Sequence, residues 1–452
     1  MEDSVPLPVT LGESPAAPHT PCRWDRALKI LVPLGWLGLV AAGLKWGSLD
    51  FYLNLLRAKT YTAFLPALAG VYALLMLFLQ LWRTVLWALY RPQPPAAGPL
   101  PRVTVVVPVY NEGAMVSRCL ASVVEADYPR ECLEIIAVDD GSTNDSWRYI
   151  QRAARRYPEV LRTLRFPRNR GKKAALYAGF RAATGEVLVT VDSDSVIAPD
   201  ALRHLVAPLV TDPRVGAVAG FVKVLNRHGT FMGKMQGVRF INLDFLRASQ
   251  SFYKTVICTP GSLSAYRREA LRPILKAWLE QTFLGAPCHH SEDRALTNFI
   301  LRQGWYTVYQ RTAVVYTLVP ETYAGVCRMY LRWERGNVRE SAVMATFLFR
   351  RFRQGPRAPA ILEFVLTQLE APLSAFFFGV FLVSVAAYPA ILFKVLLAVG
   401  LMAVVNLIYY LWLERDWEFI YGIIYSYYAF FLLQWIYPYA FVTVRDRRWL
   451  TR

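Results

Sequence analysis

Two aspartates with one residue between them, Asp192 and Asp194, have the spacing to hold a divalent cation. Alternate side chains of an extended backbone share a face, so both carboxylates can point at one ion. Carboxylate oxygens suit Mg²⁺ or Mn²⁺, and these ions bridge phosphate oxygens. Two consecutive lysines, Lys172 and Lys173, offer positive charge to the same phosphates. These residue types indicate a site for a phosphorylated ligand and its metal ion.

Asp140 and Tyr110 could bind the organic part of that ligand. An aspartate accepts hydrogen bonds from a base or a ribose, and a tyrosine stacks against a base. Each motif alone has a simpler interpretation, because Asp-Gly and Asn-Arg-Gly are common turn sequences and a carboxylate can cap a helix. The chain has neither the Gly-x-x-x-x-Gly-Lys-Ser/Thr phosphate loop nor the Gly-x-Gly-x-x-Gly signature, which excludes two common nucleotide sites.

Short apolar runs alternate with helical patterns and place these polar residues at strand ends. The predicted strands are Val103 to Pro108, Leu133 to Val138, Leu161 to Phe166 and Val187 to Val191. The predicted helices are Ala114 to Val124, Asp145 to Arg156 and Lys173 to Ala183. This alternation predicts a parallel sheet covered on both faces. Ligands bind beyond the carboxyl ends of such strands, where all four motifs lie.

The motifs resemble those of family 2 glycosyltransferases, above all the processive hyaluronan synthases and rhizobial chitin-oligosaccharide synthases. The matching segments are Val107 to Glu112, Val138 to Ser142, Asn169 to Lys173, Val191 to Asp194, Ser291 to Arg294 and Leu331 to Trp333. The resemblance covers about residues 101–340. It implies an α/β fold of the GT-A type, a nucleotide-sugar-binding domain inserted between transmembrane helices, with amphipathic interface helices.

On the donor side, the resemblance implies that Asp140 and Tyr110 hold the uridine of a UDP-sugar. Lys172 would contact the pyrophosphate. Asp192 and Asp194 would bind the nucleotide sugar and its Mg²⁺ or Mn²⁺ ion. These four strand-end motifs are intact in the sequence, so the nucleotide-sugar chemistry is the best supported part of the prediction.

On the acceptor side, the resemblance implies that Asp293 takes the proton of an acceptor hydroxyl that attacks the anomeric carbon with inversion. Arg332 and Trp333 would lie at the mouth of a channel, the arginine near the leaving diphosphate and the indole under an acceptor sugar. Gly261 and Ser262 would belong to the acceptor loop, which is not in the family's Cys-rich form. Met329 replaces the glutamine of the family's Gln-x-x-Arg-Trp motif, so processivity is less well supported.

Apolar residues make up 55% of the chain and are concentrated in two blocks that flank the polar segment. Thr60 to Trp82 has no charged residue and would span roughly 34 Å as a helix, enough to cross a hydrocarbon core of about 30 Å. The other candidate spans are Ala27 to Trp46, Ala371 to Phe393, Val395 to Leu413 and Phe419 to Val444. The stretch Ala27 to Trp46 contains two lysines, so an interfacial helix is its alternative.

The formal charge of +18 indicates topology rather than nucleic-acid binding, because basic residues cluster beside the spans. The positive-inside rule then places the polar segment in the cytoplasm of a multi-pass membrane protein. The residues on which this depends are Arg83, Arg91, Arg350, Arg351, Arg353 and Arg357. Five spans conflict with the rule at one end, because they put a group of C-terminal arginines outside. That group is Arg445, Arg447, Arg448 and Arg452.

These boundaries divide the chain into five predicted parts. They are a cytoplasmic N-terminal tail (1–26), two transmembrane helices (27–92), a cytosolic glycosyltransferase domain (101–320), interface helices with the Arg-Trp motif (321–357) and about three transmembrane helices (358–452). Arginines at helical spacing between Tyr323 and Phe352 predict helices at the inner membrane surface, and a solvated helix face is the alternative.

The predicted activity is inverting transfer of a sugar from a UDP-sugar, UDP-N-acetylglucosamine first among them, to a growing β-linked polysaccharide or oligosaccharide, with export across the bilayer. The alternatives are a single transfer to a polyprenyl phosphate or other lipid, and a non-catalytic nucleotide-sensing transporter or receptor.

The scattered cysteines contain no CxxC pair and indicate a reducing compartment. The triplet Cys288-His289-His290 is predicted to be a loop, because three adjacent residues cannot easily point at one metal. The sequence leaves the sugar, the linkage and the oligomeric state open.

Overall fold

A computed structural model of the protein describes residues 25–45, 64–96, 98–353, 355 and 357–446. Most of the predicted N-terminal tail lies outside these residues, as does the start of the predicted Thr60 to Trp82 span. The arginines Arg447, Arg448 and Arg452 also lie outside them.

Ten strands occur in the described residues, eight of them in one sheet of order β3-β2-β1-β4-β7-β6-β10-β5. The strands are β1 (Val103–Val109), β2 (Leu133–Asp139), β3 (Leu161–Arg165), β4 (Val187–Val191), β5 (Ser195–Ile197), β6 (Val215–Val224), β7 (Leu263–Arg267), β8 (Thr282–Phe283), β9 (Ala286–Pro287) and β10 (Tyr306–Thr317). The first four strands and the helices between them match their predicted bounds to within a residue or so. Every residue of β1, β2 and β4 is buried, as is typical of strands covered on both faces.

The prediction of a wholly parallel sheet is wrong beyond β4. Strands β1 to β4 pair in parallel, but β7 lies antiparallel between β4 and β6, and β5 is antiparallel to β10. The physical reason lies in the acceptor loop, because β7 starts directly after Ser262, at the edge where the parallel strands end. A strand that begins at that edge must run away from it.

The described helices are α1 (Asp25–Lys45), α2 (Phe64–Leu89), α3 (Met115–Val124), α4 (Ser146–Arg156), α5 (Lys172–Ala182), α6 (Ala201–Thr211), α7 (Phe231–Phe252), α8 (Arg268–Leu271), α9 (Leu275–Leu279), α10 (Glu292–Arg302), α11 (Tyr323–Leu348), α12 (Ala358–Ala387), α13 (Ala390–Glu414), α14 (Ile420–Leu432) and α15 (Ile436–Val442). Alternate residues of β1 face opposite ways. Val105 and Val107 pack with α3 and α6, and Val106 packs with α5 and α10. Helices therefore cover both faces of the sheet.

Two of the described helical stretches, Ala358–Ala386 and Ile391–Glu414, are long and apolar enough to cross a membrane. The stretches Trp417–Leu432 and Ile436–Val442 would add a third crossing if they formed one span, but they are bent by 47° relative to each other. Helix α12 begins 13 residues before the predicted start at Ala371. Helix α2 continues past the predicted end at Trp82, as far as Leu89.

A buried aspartate joins the apolar helices to the sheet. Asp244 of α7 is fully buried and accepts hydrogen bonds from Trp87 Nε1 at 3.0 Å and from Tyr309 Oη at 2.7 Å. Arg311 of β10 pairs with both of its carboxylate oxygens, at 2.7 and 3.0 Å. Since a buried charge is stable only when it is paired, this cluster fixes α2 and α7 against β10.

The arginine-rich stretch after Tyr323 forms one helix, α11, of 26 residues. Arg328 is exposed, but Arg335 and Arg339 are buried, with 1% and 3% of their surface accessible. The alternative of a solvated helix face is therefore wrong for these two residues. Their charges are paired within the protein, because Arg335 contacts Asp446 at 3.1 Å and Arg339 contacts Glu340 at 2.9 Å.

Candidate active site

Hydrogen bonds join the polar residues at the ends of β1, β2 and β4 into one continuous edge. The Asn111 backbone N–H donates to Ser142 Oγ at 3.0 Å, and Asn111 Oδ1 accepts from the Thr143 N–H at 2.9 Å. Ser193 Oγ donates to Glu112 Oε1 at 3.1 Å. Motifs that are distant in the sequence therefore meet at the carboxyl edge of the sheet, as the strand pattern predicts.

Asp140 fixes the loop that follows β3. Its two carboxylate oxygens accept hydrogen bonds from the Arg170 and Gly171 N–H groups, at 2.7 and 2.8 Å. Gly141 has φ 71°, and a Cβ atom there would lie 2.4 Å from the carbonyl carbon of Arg168, so only glycine fits. Each oxygen of Asp140 keeps a second lone pair, so the predicted contact with uridine stays a prediction. Tyr110 is half-buried on the same edge.

Lys172, the first residue of α5, bridges two carboxylates at the centre of the site. Its Nζ atom lies 2.6 Å from Asp192 Oδ1 and 2.8 Å from Glu292 Oε1. Burial opposes ionisation of Glu292, but the charge and hydrogen bond of Lys172 outweigh it and lower the Glu292 pKa to about 2. Despite its own burial, Lys172 has a raised pKa because both carboxylates favour the ammonium. The donor-side lysine is thus held beside the predicted metal ligands.

Asp293 lies in the first turn of α10, next to this ion pair. Its Oδ2 atom accepts a hydrogen bond from the Gly261 N–H at 3.2 Å, and the Cys258 thiol is 3.9 Å away. Burial raises the pKa of Asp293, and the negative charge of Glu292 raises it further. A carboxylate with a raised pKa is a stronger base, which suits proton removal from a hydroxyl. Ser262, the other predicted acceptor-loop residue, is buried at the start of β7.

Helix α11 brings Arg332 to the same site, and Trp333 is the next residue of that helix. The negative charges that act on the Arg332 guanidinium are those of Glu292, Asp192, Asp293 and Asp194, so the arginine lies among the predicted donor-side and base residues. Its positive charge can balance that of a leaving diphosphate.

The half-buried Trp333 lies on an aromatic surface. Its ring centroid is 6.0 Å from that of Phe240 and 5.5 Å from that of Tyr330. An indole held in this way can stack against a sugar ring. Met329, at the position of the missing glutamine, is buried in an apolar cluster with Val326. The side chain packs there and provides no polar contact to the site.

A polar seam holds α10 against α11. Arg294 donates hydrogen bonds to Asn337 and, at 2.8 Å, to Ser341 Oγ. Asn298 Nδ2 donates to Glu340 Oε2 at 3.0 Å, and the Gln281 side chain donates to Glu340 Oε1 at the same distance. We call these residues the α10–α11 seam. They fix the position of the candidate base relative to the acceptor-side arginine and tryptophan.

Close packing at the N-terminal end of the seam leaves no room for a side chain on Gly336. A Cβ atom at Gly336 would overlap the Ser291 side chain. Ser291 itself has φ 58° and turns the chain into α10 directly before Glu292 and Asp293. Substitution of Gly336 would therefore displace the candidate base.

Asp192 and Asp194 fit a divalent cation by the chemistry of their oxygen atoms. Asp194 Oδ1 accepts hydrogen bonds from Ser195 Oγ at 3.2 Å and Thr317 Oγ1 at 3.3 Å, which orient its carboxylate. No group of three or more His, Cys, Asp or Glu side chains that could hold a metal occurs in the described residues. Two carboxylates leave coordination positions for phosphate oxygens and water, the arrangement that Mg²⁺ prefers.

The sequence prediction named most of these residues but missed the roles of Glu292 and Glu340. Glu292 lies beside Asp293 in the quoted motif, so its position was available, but its pairing with Lys172 joins residues 120 positions apart. Glu340 is fully buried and forms the centre of the seam. No local pattern distinguishes it from an exposed helix residue. The triplet Cys288-His289-His290 lies in a loop, as predicted.

Comparisons with known proteins identify the family of the chain. Residues 104–275 match the family described as Glycosyl transferase family 2. An N-acetylglucosaminyltransferase of Azorhizobium caulinodans is 31% identical over 361 residues, which are 78% of this chain and 87% of the relative. A hyaluronan synthase of Streptococcus pyogenes is 32% identical over 321 residues, 70% of this chain and 72% of the relative.

A solved structure has the same fold. It is a mannosyltransferase from Pyrobaculum calidifontis in complex with GDP-Man and Mn²⁺, with a TM-score of 0.56 and 25% identity over 81% of this chain and 97% of that protein. The α/β sheet with its antiparallel β7 is therefore a GT-A-like sheet. The predicted resemblance is confirmed by both the sequence relatives and the fold, and the chain is a member of glycosyl transferase family 2.

Proposed function

We propose that the protein transfers a sugar from a UDP-sugar, with UDP-N-acetylglucosamine as the expected donor, to the end of a growing β-linked saccharide. One observation carries the proposal. Lys172 joins the candidate metal-binding Asp192 to Glu292, the neighbour of the candidate base Asp293, and Arg332 lies among the same carboxylates. Donor-binding and acceptor-activating groups thus form one cluster, as a direct displacement requires.

On the donor side, Tyr110 and Asp140 hold the uridine, and Lys172 exchanges part of its ion pairing for the pyrophosphate. Asp192 and Asp194 would hold Mg²⁺ or Mn²⁺, which would supply positive charge to the diphosphate. The Arg332 side chain adds a further cationic group. As the bond between the anomeric carbon and the diphosphate breaks, the side chains of Lys172 and Arg332 stabilise the negative charge that develops on the leaving oxygen.

On the acceptor side, Trp333 stacks under the terminal sugar and presents its hydroxyl to Asp293. The carboxylate takes the hydroxyl proton while the oxygen attacks the anomeric carbon from the face opposite the leaving diphosphate. One glycosidic bond forms, one bond to the diphosphate breaks, and the configuration inverts. Burial and the neighbouring charge of Glu292 raise the pKa of Asp293 and keep its carboxylate basic.

The membrane arrangement is also part of the proposal, with the catalytic domain in the cytoplasm between the N-terminal and C-terminal apolar helices. Residues at both ends of the α14–α15 pair contact the catalytic side. Glu418 lies 3.0 Å from His228, and Asp446 lies 3.1 Å from Arg335 of α11. Near the middle, the hydroxyl groups of Tyr425 and Tyr330 are 3.1 Å apart.

These contacts support a pair of helices that lies along the catalytic domain at the membrane surface without crossing. Four crossings, by the two N-terminal spans predicted from the sequence and by α12 and α13, then return the chain to the cytoplasm. The arginines from Arg445 onwards obey the positive-inside rule in this arrangement, which removes the conflict that five spans create. A fluorescent protein fused after Arg452 should fold and fluoresce if this end is cytoplasmic, whereas an alkaline phosphatase fusion should be inactive.

The test of the activity is incubation of the purified protein with a panel of UDP-sugars and Mg²⁺ or Mn²⁺, followed by mass analysis. A series of saccharides from one UDP-sugar supports the proposal. Asp293→Asn, which keeps the size of the side chain but removes the base, should form no product. A product that appears only in the organic-solvent fraction would contradict polymer synthesis and favour a lipid acceptor. No UDP release from any donor would contradict enzymatic transfer.

A further inference from the structure

A cavity of about 410 Å³ lies on one face of α5, between this helix and the segment from Leu279 to His289. Its walls are mostly apolar and include the rings of Phe166 and Tyr177, and two cationic side chains, Arg170 and Lys173, also line it. Small-molecule sites have this character, with volumes of about 300–1,000 Å³, apolar walls and a few polar groups.

The cavity is separate from the candidate donor site. Consecutive residues of an α-helix point about 100° apart, so Lys172 and Lys173 face different parts of the protein. Lys172 Nζ contacts Asp192 and Glu292, whereas Lys173 Nζ donates to the Cys288 carbonyl at 3.3 Å. Of the residues that the structure describes, none of those predicted to bind the nucleotide sugar lines the cavity.

Lys173 is a buried cation with no carboxylate within ion-pair distance among the described residues. Only 5% of its surface is exposed, and its contacts are the Cys288 carbonyl and the Trp278 ring, whose centroid is 5.3 Å from Nζ. Burial lowers the Lys173 pKa to about 8, so the amine is still mostly charged near pH 7. An ammonium has three N–H donors, and a buried charge is stable when it is paired. An anion in the cavity would supply the missing pair.

The surroundings of the cavity also favour an anion. Arg170 lies at its wall, with the guanidinium carbon 5.1 Å from the centroid of the Phe166 ring. Between the start of α4 and the end of α5, Ser146 to Ala182, the chain has eleven lysines and arginines and one acidic residue, Glu159. More than half of the formal charge of +18 lies in this segment. Such a concentration of one sign of charge raises the local concentration of anions.

The aromatic walls restrict the ligand further. Phe166 and Tyr177 are half-buried, and such rings stack against flat ligand rings. Inorganic phosphate would pair with Lys173 but leave the apolar walls uncovered. A neutral sugar would cover the walls but leave the buried charge unpaired. A nucleoside phosphate has both a planar base and a charged group.

We propose that the cavity is a second nucleotide-binding site, which holds the phosphates of a nucleoside diphosphate on Lys173 and Arg170 and its base against Tyr177. The inference goes beyond the proposed function, since the cavity binds its ligand whether or not the chain transfers a sugar. No carboxylate of the described residues lines the cavity, so binding there needs no divalent cation. The Arg170 N–H donates to Asp140 at 2.7 Å, so the occupant contacts the loop that Asp140 holds.

The experiment measures UDP binding to the full-length protein in detergent by titration calorimetry. An excess of chelator removes the metal ion on which the proposed donor site depends, and we expect one UDP per wild-type chain under these conditions. Ala178→Phe fills the cavity and Tyr177→Ala removes one of its walls, so both should bind UDP at least tenfold more weakly. Lys173→Met should also lose at least tenfold, as for one hydrogen bond to a charged group.

Two variants outside the cavity are the controls. Arg181→Met removes an exposed charge of the same helix, and Asp194→Ala removes a candidate metal ligand of the donor site. Both should bind UDP in chelator as the wild type does. Uridine and inorganic phosphate, which each carry one part of the ligand, should bind more weakly than UDP. GDP that binds more tightly than UDP would support the site and identify a ligand other than the reaction product.

Absence of UDP binding in chelator would overturn the inference. Binding that Asp194→Ala abolishes but Ala178→Phe and Tyr177→Ala leave unchanged would also overturn it, because the nucleotide would then lie in the donor site. Inorganic phosphate that binds as tightly as UDP would exclude a nucleotide site. Thermal unfolding of each variant separates loss of binding from loss of the fold, and Tyr177→Ala decides if Ala178→Phe does not fold. Absence of sugar transfer would contradict the proposed function alone, because binding in chelator requires no transfer.

Discussion

Replacement of Lys172 by methionine should destabilise the protein by about 3 kcal/mol at neutral pH and abolish sugar transfer. Methionine has a similar length but no charge, so the buried Glu292 loses an ion-pair partner 2.8 Å away. The Glu292 pKa of about 2, against an ordinary value of 4.5, corresponds to about 3 kcal/mol. Removal of one partner from a buried pair costs a similar amount, about 3–5 kcal/mol.

The loss of stability should depend on pH in a defined direction. In the wild type, Glu292 has a lowered pKa, so its stabilising contribution is present above about pH 4.5 and is lost as the pH falls towards about 2. In Lys172→Met the unpaired carboxylate is buried, which raises its pKa and makes the variant less stable as the pH rises. The difference in unfolding free energy between the two proteins should therefore shrink as the pH is lowered from about 7 to about 4.

Thermal unfolding of both proteins in one detergent measures this difference. For a domain of this size, about 3 kcal/mol corresponds to a fall of roughly 6–12 °C in Tm. The double variant Lys172→Met/Glu292→Gln, which also neutralises the carboxylate, should recover most of the Tm but no activity. Lys276→Met, at an exposed position, is the matched control and should behave as the wild type. A single variant as stable as the wild type, or a double variant no more stable than the single one, would refute the reasoning.

Three further predictions concern the metal, the acceptor and the α10–α11 seam. In a UDP-release assay, Asp194→Ala should abolish transfer, and so should an excess of chelator added to the wild type. Full activity of the wild type in chelator would exclude a role for the metal ion. Trp333→Ala should shorten the saccharide products more than it slows donor hydrolysis, and equal losses in both assays would exclude stacking of the acceptor. Glu340→Gln removes the charge at the centre of the seam, so kcat should fall about tenfold with the donor KM unchanged, as for one weakened charged hydrogen bond. A lower kcat together with a raised donor KM would instead indicate damage to the donor site.

Local patterns in the sequence predict the donor side of the site well. The apolar runs at β1 and β4 are rich in valine and end at polar residues. The bounds of these strands, and the position of Asp192 and Asp194 at the end of β4, therefore follow from the pattern of apolar and polar residues. The reversal of β7 does not follow, because the direction of a strand depends on where the preceding loop delivers it. The burial of Arg335 and Arg339 does not follow from the sequence either. Arg335 pairs with Asp446, which is distant in the sequence. Arg339 pairs with its neighbour Glu340, but no local pattern shows that both residues are buried.

The α10–α11 seam also determines which fragments of the chain could be catalytically active. A fragment that ends near residue 320, the predicted boundary of the cytosolic domain, would keep the donor edge and Asp293. It would lack Arg332 and Trp333, and Arg294 would lose both of its seam partners. Helix α11 cannot be added without its apolar neighbours, since Arg335 pairs with Asp446 beyond α15. In the proposed membrane arrangement, truncation therefore cannot separate catalysis from attachment to the membrane, and a water-soluble version of this enzyme would require redesign of the apolar surfaces of α14 and α15.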